Sequence, residues 1–251
     1  MNKNFLNHYL KKLHLVRKNI SSFDEYPFSL FAIRNLKNLD FHQAVTFFVG
    51  ENGTGKSTLL EAIAVALRFN PEGGTRNFNF STRESHSVLH EYIRLSKGVN
   101  YFQNGYFLRA ENFFNVATEI EELDKGPGGP PISDSYGKKS LHEQSHGESF
   151  FSLIMNRFGK NGFYILDEPE AALSPTRQMA FISRMHQLVR QDSQFIIATH
   201  SPIIMAYPNA KIYLLSEDGI ATVKYKDTEH FSVMKEFMRN PEKMMEILLK
   251  E

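Results

Sequence analysis

Gly50-Glu51-Asn52-Gly53-Thr54-Gly55-Lys56-Ser57 is the stretch on which the fold turns. It matches the spacing G-x-x-x-x-G-K-[ST] in full, and each residue type there has a physical reason. Glycines let the backbone wrap phosphates with its N–H groups, and a helix N-terminus adds partial positive charge. Lys56 is placed to reach the β- and γ-phosphates, and Ser57 offers a hydroxyl to Mg²⁺. Directly before it, Ala44-Val45-Thr46-Phe47-Phe48-Val49 is a β-branched and aromatic run that reads as a buried strand. Residues 58–69 carry Leu59, Leu60, Ile63 and Leu67 at helical spacing, with Asn70 stopping the helix before Pro71. A strand, a glycine loop and a helix in immediate succession are the context this motif requires. The expected nucleotide-binding residues are Gly50, Glu51, Asn52, Gly53, Thr54, Gly55, Lys56, Ser57 and Thr58.

Further along, Phe163-Tyr164-Ile165-Leu166-Asp167-Glu168-Pro169 is four apolar residues ending in two adjacent carboxylates. Burying the run puts the acids at the carboxyl end of a strand, where ligands of open α/β sheets collect. Asp167 is expected to hold Mg²⁺ through water and Glu168 to orient and deprotonate the attacking water. Ile196-Ile197-Ala198-Thr199-His200-Ser201-Pro202 repeats the arrangement with a histidine after the apolar residues. His200 is expected to contact the γ-phosphate and link it to Glu168. Further strands are expected at 106–111, 194–199, 211–215 and 221–225, the last two forming a hairpin around Glu217-Asp218-Gly219. Helices are expected at 148–158 and 178–191, and a Gly/Pro loop at 125–135. Lys12 to Arg17 partly alternates and reads as an exposed edge strand inside a stretch of twenty residues with five bases and no acid. Strands separated by helices imply a mainly parallel sheet with antiparallel additions.

With 251 residues, 41% apolar and 23% charged, the chain can bury a full core as one large α/β domain. A net charge of +1 gives no global electrostatic case for nucleic acid or a membrane surface. Cysteine is absent, which removes disulfides, thiolate zinc sites and cysteine nucleophiles together. No window approaches the run of about 20 apolar residues that crosses a bilayer, and the first fifteen residues lack a signal-peptide core, so a cytoplasmic location without membrane insertion is expected.

In this order, these residues resemble the ATP-binding cassette superfamily. That family places a signature loop at a helix start between the phosphate loop and the acidic pair, and Ser145-His146-Gly147-Glu148-Ser149 stands in that place. It departs from the usual Leu-Ser-Gly-Gly-Gln at His146 and Glu148, and a carboxylate near a phosphate makes Glu148 the weakest correspondence. Ala171-Ala172-Leu173-Ser174-Pro175 resembles the family's D-loop, and His200 its switch histidine. For the family's Q-loop residue, a further Mg²⁺ contact, Gln103 and Glu111 both qualify. Glu111 is preferred because residues 106–110 read as the strand that should carry it. Arg34, Arg76 and Arg83 are further candidates for phosphate or base contacts.

The resemblance implies an α/β P-loop NTPase of the ABC type over residues 1–251. It would have a mainly parallel sheet flanked by helices, antiparallel strands at the N-terminus, and a small helical signature subregion at about 112–160. It implies ATP and Mg²⁺, hydrolysis to ADP and phosphate, and a head-to-tail homodimer in which Ser145 and Gly147 of one copy cover the ATP of the other.

Tyr26-Pro27-Phe28-Ser29 and the segments 49–60, 77–85, 141–150, 167–175 and 198–202 are also similar to a narrower group. These are small stand-alone bacterial AAA-family ATPases related to the SMC, RecF and OLD-type heads. Such a protein is expected to act as an ATP-driven switch on a protein or DNA, in maintenance or defence. The rival reading is the motor subunit of an ABC transporter. Only 110 residues separate Lys56 from Asp167, without sustained heptads, so no long coiled-coil arms are expected between them.

Overall fold

The computed structural model describes residues 9–76, 87–110, 118 and 146–250. The sequence readings at 1–8, 77–85, Arg83, Glu111, 125–135 and Ser145 lie outside the described residues.

Six strands form the central sheet in the order β5-β6-β7-β3-β8-β9. They are β3 (Val45–Val49), β5 (Asn104–Arg109), β6 (Gly162–Asp167), β7 (Gln194–Ala198), β8 (Lys211–Ser216) and β9 (Gly219–Val223). The pairs β5/β6, β6/β7, β7/β3 and β3/β8 are parallel, and β8/β9 closes as an antiparallel hairpin. β3, β6 and β7 are buried at every position, which is why their sequences read as continuous apolar runs rather than alternations. Their side chains still divide by parity. Phe47, Tyr164, Leu166, Phe195 and Ile197 enter one core cluster with the helices α3 (His146–Arg157) and α4 (Pro175–Val189). Phe48, Phe163, Ile165, Ile196 and Ala198 enter the other, with α2 (Lys56–Ala66).

A second sheet, β2-β1-β4, lies beyond α2 and is antiparallel throughout, with β1 at Leu10–Leu15, β2 at Asn38–Asp40 and β4 at Ile93–Lys97. Leu10, Leu13 and Leu15 of β1 share a core with Leu59, Leu60 and Ile63 of α2. α2 is thus covered on both sides, which explains its apolar character around much of the circumference. The edge strand expected at Lys12 to Arg17 is corrected here: β1 is the central strand of its sheet, paired on both sides. Gln194 secures it to the main sheet. Its Oε1 accepts from Tyr9 N–H at 3.0 Å and Leu10 N–H at 2.9 Å, and its Nε2 donates to the carbonyls of Leu10 at 2.8 Å and His42 at 2.9 Å. A fully buried amide with both ends engaged incurs little desolvation penalty.

The helix expected from residue 58 begins two residues earlier, at Lys56, behind Gly55 in the left-handed region at φ 101°. Short helices α1 (Phe31–Arg34) and α5 (Pro202–Met205) precede β2 and β8 respectively. Two helices that the sequence reading did not include, α6 (Glu229–Arg239) and α7 (Pro241–Leu248), follow β9 with none of their residues buried. Among the described residues no helix is long and apolar enough to cross a membrane.

Candidate active site

Because β3, β6 and β7 run parallel, the segments leaving their carboxyl ends emerge on one edge of the sheet. β7 lies between the other two, so Thr199 and His200 come out between the 50–57 loop and the Asp167-Glu168 pair. Ser57 Oγ donates to Asp167 Oδ1 at 3.1 Å, and Glu168 Oε1 lies 3.6 Å from His200 Nε2. The fold therefore brings together residues from three separate segments of chain.

The loop is closed on its own lysine. The buried Lys56 Nζ donates to the carbonyls of Gly50 and Glu51, each at 2.8 Å, and Thr54 Oγ1 donates to Glu51 O at 2.8 Å. Burial lowers the Lys56 pKa, opposed by the carboxylates of Glu168, Asp167 and Glu170. Gly50 sits at φ 141° with the Leu215 carbonyl where a Cβ would be. Gly50→Ala is expected to destabilise the fold by roughly 2–5 kcal/mol, from backbone strain plus overpacking against β8. A urea titration checks this through a lower midpoint at unchanged slope.

Glu168 also adopts a left-handed backbone, at φ 51° and ψ 52°, and its N–H donates to Ala198 O at 2.9 Å. Non-glycine residues held there carry strain that persists where surroundings enforce it, often at functional positions. Here the enforced turn directs the chain into the Pro169–Ala172 helical turn.

Glu170 is engaged on both oxygens. Thr199 Oγ1 donates to Oε2 at 2.7 Å and the His200 N–H to Oε1. Burial raises its pKa against these hydrogen bonds. Ser201 Oγ donates to Gln178 Oε1 at 2.6 Å, and Gln178 Nε2 donates to Leu173 O at 2.9 Å. The 199–201 turn is consequently bolted to the 170–173 turn and to α4. Burial, then the Lys56 ammonium, lower the His200 pKa against the pull of Glu168, so the imidazole is neutral at pH 7.

Gly147, in the first turn of α3, sits hard against the 170–173 turn, where an added Cβ would lie 2.7 Å from Ala172 O and 3.1 Å from Arg177. Arg177 stands 3.7 Å from the Glu148 carboxylate, which offsets the charge that made Glu148 an awkward correspondence. Gln103 lies at the amino end of β5, beside Asn161 at 3.3 Å. A six-residue strand spans about 20 Å, so Gln103 is at the wrong edge of the sheet for a phosphate contact. Arg34 pairs with Asp24 at 3.6 Å and Arg76 stacks on Phe102 at 4.1 Å, so each has a partner away from the loop.

Sequence reasoning missed several groups. Arg109 Nη1 donates to Glu61 Oε2 at 2.9 Å, with Nε 3.9 Å from Asp167 Oδ2. This partly buried bridge joins α2, β5 and β6. Tyr26 Oη lies 3.3 Å from Thr58 Oγ1, over the start of α2. His230, on α6, has Nε2 3.2 Å from His200 Nδ1. A cleft of about 680 Å³ beside the loop is lined by Gly50, Glu51, Thr54, His200, Leu215 and His230. Four acids, Glu217, Asp218, Asp227 and Glu229, line the same cleft.

Among the described residues no group of three or more His, Cys, Asp or Glu side chains forms a metal cage. The Ser57/Asp167 pair instead offers two hard oxygens at one point. That suits Mg²⁺, which keeps several waters and takes its remaining ligands from phosphate.

A family model described as an AAA domain matches residues 14–157, more than half of the chain, and one described as an AAA ATPase domain matches residues 147–205. The chain is 25% identical over 238 residues to the tungstate uptake system ATP-binding protein TupC of Campylobacter jejuni, covering 84% of this chain and 70% of that protein. It is 32% identical over 131 residues to the chromosome partition protein Smc of Methanocaldococcus jannaschii, covering 45% of this chain and 11% of that protein. Its fold matches cbiO1 of Clostridium perfringens, part of the ABC transporter complex cbiONQ, with a TM-score of 0.52 at 20% identity, over 93% of this chain and 96% of that one.

Proposed function

The chain belongs to the AAA-domain family and is an ATP-binding ATPase of the ABC and SMC-head type, and from that premise we propose that it is a Mg²⁺-dependent switch whose two copies close head to tail on ATP, in DNA maintenance or defence. The observation that carries the reading is the meeting of Ser57 with Asp167 at 3.1 Å and of Glu168 with His200 at 3.6 Å on one sheet edge. A loop that only bound nucleotide would need neither of the last two residues. Residues 1–251 act as one ATPase domain, working in the cytosol, with 112–160 as its signature subregion.

The backbone N–H groups from Gly50 to Thr58 cradle the phosphates, and Lys56 places its ammonium on the β/γ oxygens. Ser57, Asp167 and Glu111 would hold Mg²⁺, which when bound would neutralise phosphate charge. Glu168 takes the proton of the attacking water, and His200 stands beside it on the γ-phosphate. Ser145 and Gly147 of the second copy close the site and exclude bulk water, so a lone protomer turns over poorly. Support for this last element comes from Gly147, which packs against the Ala172 carbonyl and Arg177 beside the 170–175 turn.

The similarity to TupC over 238 residues favours a second reading, in which the chain drives a membrane permease. Turnover measured against protein concentration, with and without double-stranded DNA, tests the first. A rate rising faster than linearly supports the composite site, and stimulation by DNA supports the maintenance or defence role. A strictly linear rate overturns the dimer. A superlinear rate indifferent to DNA, with recovery of the chain on membranes, favours the transport reading.

A further inference from the structure

We propose that His230 is a positioning residue for hydrolysis: through its Nε2 it holds the neutral His200 ring in the tautomer that carries its proton on Nε2, facing Glu168. The inference rests on the reading of His200 as the group beside the γ-phosphate.

His230 lies in the first turn of α6, and that turn is capped by Thr228 and tied to the switch segment through Tyr225. Thr228 caps the helix by accepting from Phe231 N–H at 3.3 Å, and its own hydroxyl donates to Tyr225 O at 2.7 Å. Tyr225 Oη donates to Pro202 O, two residues past His200, at 2.9 Å. The Tyr225 and Phe231 rings meet edge-on with centroids 4.9 Å apart. α6 therefore presents His230 to His200 from a capped and anchored position. The two imidazoles share one hydrogen bond of 3.2 Å between His200 Nδ1 and His230 Nε2.

A neutral imidazole has one N–H to give, and the nitrogen that carries it is set by what the other nitrogen does. Burial lowers both histidines, and the nearby Lys56 ammonium lowers them further, against Glu168 at His200 and Glu229 at His230. Two arrangements satisfy the shared bond. If His200 donated from Nδ1, its Nε2 would be a bare lone pair aimed at the Glu168 carboxylate 3.6 Å away, and two acceptors would repel. If His230 donates from Nε2, His200 keeps its proton on Nε2 and turns an N–H toward that carboxylate. His200 Nε2 is buried and makes no hydrogen bond in the free protein, so it is a donor held ready for an oxygen. The second arrangement is the electrostatically consistent one. It makes α6 part of the hydrolytic site, thirty residues away in sequence.

Long-range ¹H–¹⁵N correlation spectra of the nucleotide-free, full-length protein read the tautomer directly, with His200 assigned by the signals lost in His200→Ala. The expected wild-type pattern is a protonated Nε2 and an unprotonated Nδ1 on His200. His230→Ala should convert it to a mixture and lower kcat about 10- to 100-fold, the usual consequence of removing an orienting partner, with KM for ATP little changed. His230→Gln retains an N–H donor near the same point and should restore both the spectrum and most of the rate. A wild-type His200 protonated on Nδ1 overturns the proposal. So does His230→Ala with unaltered spectrum and kcat while His200→Ala is inactive. If His200→Ala also turns over normally, the reading of the site fails instead, and the spectrum alone then decides the tautomer.

Discussion

Replacing Glu168 by Gln should lower ATP turnover by on the order of 10²–10⁴, the contribution of a positioned general base, while leaving ATP bound. The amide has the carboxylate's shape and can keep contact with His200, but it cannot accept a proton from water. Steady-state phosphate release measures the loss. Size-exclusion chromatography with ATP and Mg²⁺ should reveal a dimer of Glu168→Gln that outlasts the wild-type one. Three acids crowd this edge, and their surroundings divide the roles. Asp167 is held by Ser57 at 3.1 Å. Glu170 has both oxygens engaged by Thr199 and the His200 N–H. Glu168 keeps an open carboxylate, with 41% of its side chain exposed, and so can reach a water. Wild-type turnover by Glu168→Gln would remove it as the base, and a variant that stayed monomeric with ATP would remove the composite site.

Lys56→Ala should weaken ATP binding by about 1.5–3 kcal/mol, the value of a charge-assisted hydrogen bond, and abolish measurable turnover. Titration calorimetry with ATP and Mg²⁺ checks the first and phosphate release the second. The sign on stability is opposite and separates the two effects. Burial lowers the Lys56 pKa in the folded state, so folding with a charged Lys56 costs free energy at neutral pH. Removing the ammonium relieves that cost, and the melting temperature of the nucleotide-free protein should hold or rise. A fall in melting temperature matching the fall in affinity would mean that Lys56 acts mainly by holding the loop together through Gly50 and Glu51.

The strands β3, β6 and β7 were legible because a parallel sheet covered on both faces leaves no solvent-facing position to break their apolar runs. The loop at 50–57 was legible because few sequences satisfy so many backbone and charge requirements in eight residues. Other features left little trace. The alternation of Leu13 and Leu15 reports one buried face of a strand but says nothing of its two hydrogen-bonding edges, so β1 read as an edge when it is central. β2 has three residues and β4 runs Ile-Arg-Leu-Ser-Lys, too short or too polar for a pattern. Helices α6 and α7 bury no residue, and no helix was expected there.

By itself, the order of the residues determined that an α/β phosphate-binding domain would form and which segments would end at its working edge. Periodicity and the motif's spacing are local properties, and local properties survive in one dimension. Which side chains meet there depends on the folded arrangement of the strands. The strand order sets His200 between Gly50 and Glu168, and folding brings Arg109 to Glu61, Glu170 to Thr199 and His230 to His200. Each of these contacts joins residues at least 29 apart in sequence, and depends on distances of a few ångströms that no local pattern encodes.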